Sequence, residues 1–387
     1  MSNPKVCILV CDLAPYHEAR FNAAAALGDL VVLDVGKDID TAYDAPEQLR
    51  FPIIQVGPAK LEAQLTEIRP DVLVVPGWAN QVALRSLLWC VRHGCPIVVL
   101  SDSQLEGLPR TFLQDFVKRQ LMPIFSAALV AGVRSQRYME HFGMPAEALY
   151  QGVDVVDNEH FARGLQASPE GRLEQRARLD LPERYILSVG RLVPVKNISG
   201  LISAFAEYVK DGHHGGLELV IVGDGPLHAE FESQIRSARL EQAVHLYGRA
   251  DYESLPRLYQ LADAFVMNSH SETWGLAVNE AMSAACPALI PTSCGCSEDL
   301  IRNRDNGFVF EVGDEAVLSR LFGEIGAGRH DLNAMGLAAQ ATIRNWDVDL
   351  FARNFWGAVN FAQQYPSSPG LLSSAILRAL LFKSAIR

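Results

Sequence analysis

At 387 residues the chain is longer than the roughly 250–300 at which a single core stops growing, so two domains are expected. Apolar residues make up 49% and charged residues 20%, a globular composition that excludes a largely disordered or coiled-coil protein. With 45 acidic against 34 basic side chains the net charge is −11, the wrong sign for a nucleic-acid-binding surface, so any anionic ligand must meet a local cluster of cations.

In chain order, MSNPKVCILV places one Lys before a short apolar run without a small-residue cleavage site, which reads as a first strand and not a signal peptide. No run of 18 apolar residues occurs, so no membrane-spanning helix is expected. Apolar runs at 6–10, 31–35, 71–76, 96–100 and 127–131 alternate with helical segments HEARFNAAAAL, LEAQLTEI, QVALRSLLWCVRHG and TFLQDFVKRQLM. Short apolar runs separated by helices mean βαβ units and a parallel sheet buried on both faces. The first domain is accordingly expected over 1–160, followed by a polar connection over 161–182 containing a short helix.

A second alternating series opens at YILSVGR (185–191) and runs through ISGLISAFAEYVK, LELVIVG, HAEFESQIRSARL, AVHLYG, SLPRLYQLA, AFVMNS, GLAVNEAMSAA and PALIPT. It predicts a second doubly wound α/β domain over 183–345, with a ligand cleft between the two, because open parallel sheets bind beyond the carboxyl ends of their strands. Residues 346–387 read as a helix, a PSSPG break and a final segment LLSSAILRALLFKSAIR, expected to pack back on the amino domain. That last segment carries Arg378, Lys383 and Arg387 with no acid, so contact with an anionic membrane surface is the alternative. At 3.6 residues per turn Arg378 and Lys383 fall roughly 140° apart and form no single polar face. The seven cysteines read as reduced thiols, and Cys294-Gly-Cys296, without a second pair or His nearby, makes a poor zinc site.

Two segments carry chemistry. SVGRLVPVKN sets Gly190 at a strand end, then Arg191 and Lys196 before a helix, where a glycine admits close backbone approach and two cations suit a diphosphate. In SHSETWGLAVNEAM, Glu272 and Glu280 stand eight apart, with Trp274-Gly275-Leu276 forming a helix entrance between them. Amides there suit phosphate and carboxylates suit hydroxyls, provided Arg191 and Lys196 offset the negative charge. Each motif has a plainer reading: solvated surface cations, Glu272 as an N-terminal cap, and Glu280 as an exposed helix residue.

From 185 onward these segments, with VIVGDGP (220–226), HLYGRADYESLPRLYQLAD (245–263), CGCSEDL (294–300) and NGFVFEVGD (306–314), resemble in order the retaining transferases of glycosyltransferase family 4, whose fold is GT-B. YQGVDVVDNEHF (150–161) extends the resemblance more loosely into the first half. It implies two Rossmann-like domains and transfer of a hexosyl or N-acetylhexosaminyl group from a nucleoside diphosphate sugar to a hydroxyl acceptor, some of these acceptors being lipid-linked, without a metal or other cofactor. In its terms Arg191 and Lys196 hold the diphosphate, Glu280 the ribose, Glu272 the sugar, Gly275 and Leu276 offer amides, and the base lies near Gly248 and Arg249. Catalysis would then rest on Glu272, Arg191 and Lys196, with Asp102 as a further candidate. The reduced cysteines make a cytoplasmic protein the expectation, peripheral at the inner membrane face if the last segment touches it. The turn after the first strand departs from the family's glycine-rich pattern, as does Ser101-Asp102-Ser103, which stands where a His is usual. Gly295-Cys296 replaces the usual pair of glycines. His17 and Asp102 lie just past strand ends and are acceptor-side candidates, the alternatives being a loop residue and a helix N-cap. A sugar-nucleotide epimerase or hydrolase of the same fold, or a non-catalytic two-domain sugar-binding protein, are the competing functions.

Overall fold

The structure, a computed structural model, describes residues 4–11, 13–36, 49–106, 110–164, 169–212 and 216–385. They divide into two units, 1–156 with 347–387 and 157–346. The first boundary thus falls four residues before the expected 160, and the expected connection belongs to the second unit.

The first unit contains β1 (Val6–Val10), α1 (Pro15–Ala25), β2 (Leu30–Asp34), β3 (Ile53–Gln55), α2 (Leu61–Ile68), β4 (Val72–Val75), α3 (Gln81–His93), β5 (Ile97–Ser101), α4 (Phe112–Leu121), β6 (Ala127–Val130), α5 (Val133–His141) and β7 (Leu149–Gln151). The second holds α6 (Asn158–Ala162), α7 (Pro169–Arg178), β8 (Arg184–Val189), α8 (Ile198–Lys210), β9 (Leu217–Val222), α9 (His228–Ala238), β10 (Val244–Gly248), α10 (Leu255–Leu261), β11 (Ala264–Val266), α11 (Leu276–Ser283), β12 (Ala288–Pro291), α12 (Ser297–Leu300), β13 (Gly307–Phe310), α13 (Glu315–Gly326) and α14 (Leu332–Ile343). The chain then returns to the first unit with α15 (Val348–Gln364) and α16 (Leu371–Ala385).

Both sheets are parallel, with orders β3-β2-β1-β4-β5-β6-β7 and β10-β9-β8-β11-β12-β13. The expected pair of doubly wound domains is therefore present. Each strand order reverses once, between β1 and β4 in the first unit and between β8 and β11 in the second, and ligands of such sheets bind beyond the strand ends flanking that reversal. The unbroken apolar runs are central strands because both faces are covered: every residue of β1, β4 and β12 is buried. The helices start where polar caps allow, with Asn80, Thr111, Asn197 and Asp347 each accepting a hydrogen bond from the backbone of the first turn. In the second unit Ile202, Phe205 and Tyr208 of α8 pack with Phe322 and Ile325 of α13 over one sheet face.

The carboxyl-terminal helices complete the first unit. Trp356 of α15 donates its indole N–H to the Ala24 carbonyl at 2.8 Å and packs against Gly28, where an added Cβ would overlap the ring. Phe351 meets Phe21 of α1 at a ring separation of 6.2 Å. α16 packs against α3 and α4, burying Ser373 and Leu377.

Candidate active site

In the second unit the loops that follow β8 and β11, the two strands at the reversal, carry the expected charges. β8 ends at Val189, and Gly190 to Leu192 then lie against the turn after β9. The Gly190 N–H bonds to the Val222 carbonyl at 2.9 Å and the Leu192 N–H to the Asp224 carbonyl at 2.9 Å. The glycines of VIVGDGP are explained by this contact. A Cβ on Gly223, whose φ is 144°, would overlap the Gly190 carbonyl, and one on Gly225 would press on Leu192. The pinned loop holds Arg191 exposed to solvent, and among the described residues no carboxylate is paired with its guanidinium.

Lys196 closes a single 3-10 turn (Pro194–Lys196), and Asn197, at a left-handed φ of 49°, caps α8 by accepting from the Gly200 N–H. The loop after β11 is tied to this turn by the His270 N–H, which donates to the Val195 carbonyl at 2.8 Å, and by the Asn268 amide, which donates to the Asn197 carbonyl at 3.2 Å. The ties bring the Lys196 ammonium into an ion pair with Glu272, both side chains being about one-fifth exposed. Ser269 Oγ also donates to Glu272, at 3.3 Å. Glu272 is therefore a partner of Lys196 and not a helix cap.

The cap of α11 is Gly275, at φ 108°, with Leu276 as the first helical residue. A Cβ on Gly275 would meet the Cys294 sulfur at 2.8 Å, and one on Gly295 would overlap the Thr273 carbonyl. The Cys294 thiol donates to the Trp274 carbonyl at 2.9 Å and lies 3.5 Å from the Cys296 sulfur, both cysteines being fully buried. Trp274 needs correction as a donor contact. Its indole is 2% exposed, donates to Asn279 Oδ1 at 2.9 Å and stacks on Trp346 at 5.3 Å, so it buttresses the helix entrance instead of lining it.

Five residues into α11, Glu280 is partly buried and accepts a 2.7 Å hydrogen bond from the hydroxyl of fully buried Tyr259 in α10. Burial pushes its carboxyl up to about 7, against the lowering effect of the Tyr259 hydroxyl. The same burial, with the nearby Glu280, holds the Tyr259 hydroxyl well above its usual range, so it remains a donor. Gly248, at φ 83°, ends β10, its carbonyl accepting from the Gly223 N–H at 2.8 Å, and Arg249 beyond it is exposed. Lys196 and Glu272 are thus in contact, Arg191 and Gly248 flank the same turn of Gly223, and Glu280 lies along the helix entered at Gly275.

In the first unit the acceptor-side candidates surround a residue the sequence reading missed. Arg20 is 4% exposed and donates to the Tyr16 carbonyl at 3.0 Å and to the Val153 carbonyl, with Asp154 at 3.5 Å. His17 is not a loop residue: in the first turn of α1, its Nδ1 accepts from the Ala14 N–H at 3.1 Å, which leaves the ring proton on Nε2. Burial, and then the charge of Arg20, lower its pKa to about 3, so it is neutral at ordinary pH. Asp102 is exposed beyond β5 and caps no helix, since α4 begins ten residues later under Thr111, and its charge acts on Arg20. A cation set between Ala19 and Phe21, next to the alanine run of α1, is the signal that could have found Arg20. Tyr259 had none, since one tyrosine in a helix reads as core. Asp12 lies outside the described residues.

Solved structures share this fold. Anabaena HepE, solved in complex with UDP and glucose, superposes with a TM-score of 0.74 at 19% identity, covering 92% of this chain and 99% of HepE. The architecture is that of the GT-B glycosyltransferases. The family model described as glycosyl transferases group 1 matches residues 171–341, and that segment of the chain, within the second unit, belongs to the family. Among curated relatives, the N-acetyl-alpha-D-glucosaminyl L-malate synthase of Bacillus anthracis is 24% identical over 57% of this chain and 54% of its own length. The amylovoran biosynthesis glycosyltransferase AmsK of Erwinia amylovora is 27% identical over 74% and 69%. The chain thus spans about half to two-thirds of these relatives.

Proposed function

We propose that the chain transfers a hexosyl or N-acetylhexosaminyl group from a nucleoside diphosphate sugar to a hydroxyl acceptor in the synthesis of a glycan or glycolipid, retaining the anomeric configuration. The observation that carries this reading is the Lys196–Glu272 pair beside the entrance of α11, with Arg191 held open by the Gly223 turn. A diphosphate at that entrance meets free amides and two cations. Its arrival draws the Lys196 ammonium away from Glu272, and the released carboxylate accepts hydrogen bonds from sugar hydroxyls. Glu280, farther along the helix, accepts the ribose hydroxyls. As the glycosidic bond breaks, charge grows on the leaving diphosphate, where Lys196 and Arg191 stabilise it most. HepE has been solved with UDP-glucose and the Bacillus relative is named for an alpha-linked N-acetylglucosaminyl product, which support a UDP-hexose donor and retention here. In the first unit, neutral His17 with its Nε2–H and exposed Asp102 are the groups we assign to the acceptor.

Incubation with UDP-, GDP- and dTDP-sugars and a panel of soluble glycoside acceptors tests the reading. Free nucleoside diphosphate should appear only when an acceptor is present. Release without any acceptor would make the protein a hydrolase, and an isomerised sugar nucleotide would make it an epimerase.

A further inference from the structure

Among the described residues of the first unit, most of the exposed large apolar side chains lie on α4 and α16. Only Leu121 of α4 is buried, while Phe112 is 89%, Leu113 69% and Phe116 41% exposed. On α16, Leu371 is 94%, Phe382 71% and Leu372 52% exposed. At about 100° per residue the buried Ser373 and Leu377 of α16 mark one side, and Leu371, Phe382, Ala375, Ala379 and Leu372 form an opposite strip roughly 100° wide. Arg378 borders that strip on one edge and Lys383 on the other. The separation of roughly 140° between them, which in sequence argues against a polar face, is the angle of an apolar strip bracketed by two cations. Long cationic side chains at the edges of such a strip reach outward to charged groups while their stems stay apolar.

α4 carries a strip with a cation on one edge: Phe112, Phe116 and Leu113 span roughly 100° and Arg119 lies about 20° outside Phe112. The two helices pack together, and Leu113 of α4 and Leu380 and Lys383 of α16 line one cavity of about 520 Å³ with Trp78, the strips therefore adjoining. Charge selects the occupant. Helices α3, α4 and α16 contain six Lys or Arg and one carboxylate, Asp115, in a chain whose net charge is −11. No described helix is long and apolar enough to cross a membrane, so this surface lies on a bilayer if it meets one.

We infer that α4 and α16 form one docking surface for an anionic lipid bilayer, the exposed aromatic and leucine side chains entering the interface and Arg119, Arg378 and Lys383 meeting lipid phosphates. The inference deepens the proposed function by giving it a lipid-borne acceptor. α4 follows β5 and runs back from its carboxyl end, so the docked face begins at the sheet edge that bears Asp102.

Co-sedimentation of the full chain with vesicles of phosphatidylcholine alone and with 40 mol% phosphatidylglycerol tests it. Binding to the anionic vesicles should exceed binding to neutral ones at least tenfold and weaken in 0.5 M NaCl. Phe112→Ser with Phe116→Ser, and separately Leu371→Ser with Phe382→Ser, should each reduce it at least tenfold. Melting temperature and nucleotide affinity, read on the same variants, should not change, because these side chains are exposed. Equal sedimentation of wild type and both variants, or none with anionic vesicles, overturns the inference. Concentration-dependent self-association that both variants abolish, without vesicle binding, would assign the surface to a second copy of the chain. Nucleotide affinity and transfer to soluble acceptors are measured without lipid, so failure of the docking surface and failure of the transferase reading are separate results.

Discussion

Glu280→Gln removes a charge that the folded protein holds at a disadvantage. The Glu280 carboxyl is raised by burial from 4.5 to about 7, a difference worth about 3 kcal/mol. The sign follows from linkage. The folded pKa lies above the unfolded one, so there is no penalty below pH 4.5, where both states are protonated. The penalty grows as pH rises through 4.5 to 7 and is complete above 7. Glutamine is neutral throughout and keeps an oxygen for the Tyr259 hydroxyl. The variant should therefore be more stable than wild type by up to about 3 kcal/mol at pH 8, roughly 6–12 °C in the melting temperature of the second unit, with the gain vanishing near pH 4.5. Nucleotide binding should respond in the opposite direction. If ribose hydroxyls bond to the ionised carboxylate, wild-type affinity for free nucleoside diphosphate rises with pH between 5 and 7 by up to tenfold per unit. The variant should bind more weakly and keep only the pH dependence of the nucleotide itself. Calorimetric melting and titration calorimetry at pH 5, 6, 7 and 8 give both readouts. A variant no more stable than wild type at pH 8, or affinity profiles that run parallel, would refute the reasoning.

Lys196→Ala should lower kcat on the intact sugar nucleotide about 100-fold with acceptor KM unchanged, and Arg191→Ala about tenfold, read from initial rates. Glu272→Gln should reduce turnover much more than affinity for the free nucleoside diphosphate, and calorimetry showing equal losses of nucleotide affinity in Glu272→Gln and Glu280→Gln would contradict their separate roles. Gly295→Ala drives a Cβ into the Thr273 carbonyl and should destabilise the second unit by about 1–3 kcal/mol in a urea melt while weakening donor binding. Transfer should persist after exhaustive chelation, since Lys196 and Arg191 meet the diphosphate charge; loss restored by magnesium or manganese would show that they do not suffice.

Much of the fold is legible in the chain because buried parallel strands are unbroken apolar runs and the helices between them have polar caps. Leu61–Ile68 and Ile198–Lys210 form helices over the segments expected for them. β3 and β7 are three residues long and only partly buried, too short to leave a run, and α5, α13 and α14 follow segments in which no alternation frames them. The charged residues of the site are legible one by one, since Arg191, Lys196 and Glu272 each stand beside a strand end or helix start and Glu280 follows one turn into the helix. Their partnerships are not. Lys196 and Glu272 are 76 residues apart and meet because β8 and β11 are neighbours at the reversal of the sheet, a fact of strand order that no local pattern records. The same holds for Arg20 with Asp154, joined only when the strand after α5 takes its place at the sheet edge.

The return of residues 347–387 to the first unit has a consequence for synthesis. A chain emerging from the ribosome completes 157–346 while α1 still lacks the helix that covers it, so Phe21, Ala24 and Gly28 await Phe351 and Trp356 until residues 347–387 are released from the exit tunnel. The later unit in sequence is thus the earlier one able to close. The earlier one waits with an apolar groove open, and a nascent chain halted before 347 presents that groove to chaperones and proteases as unfinished work.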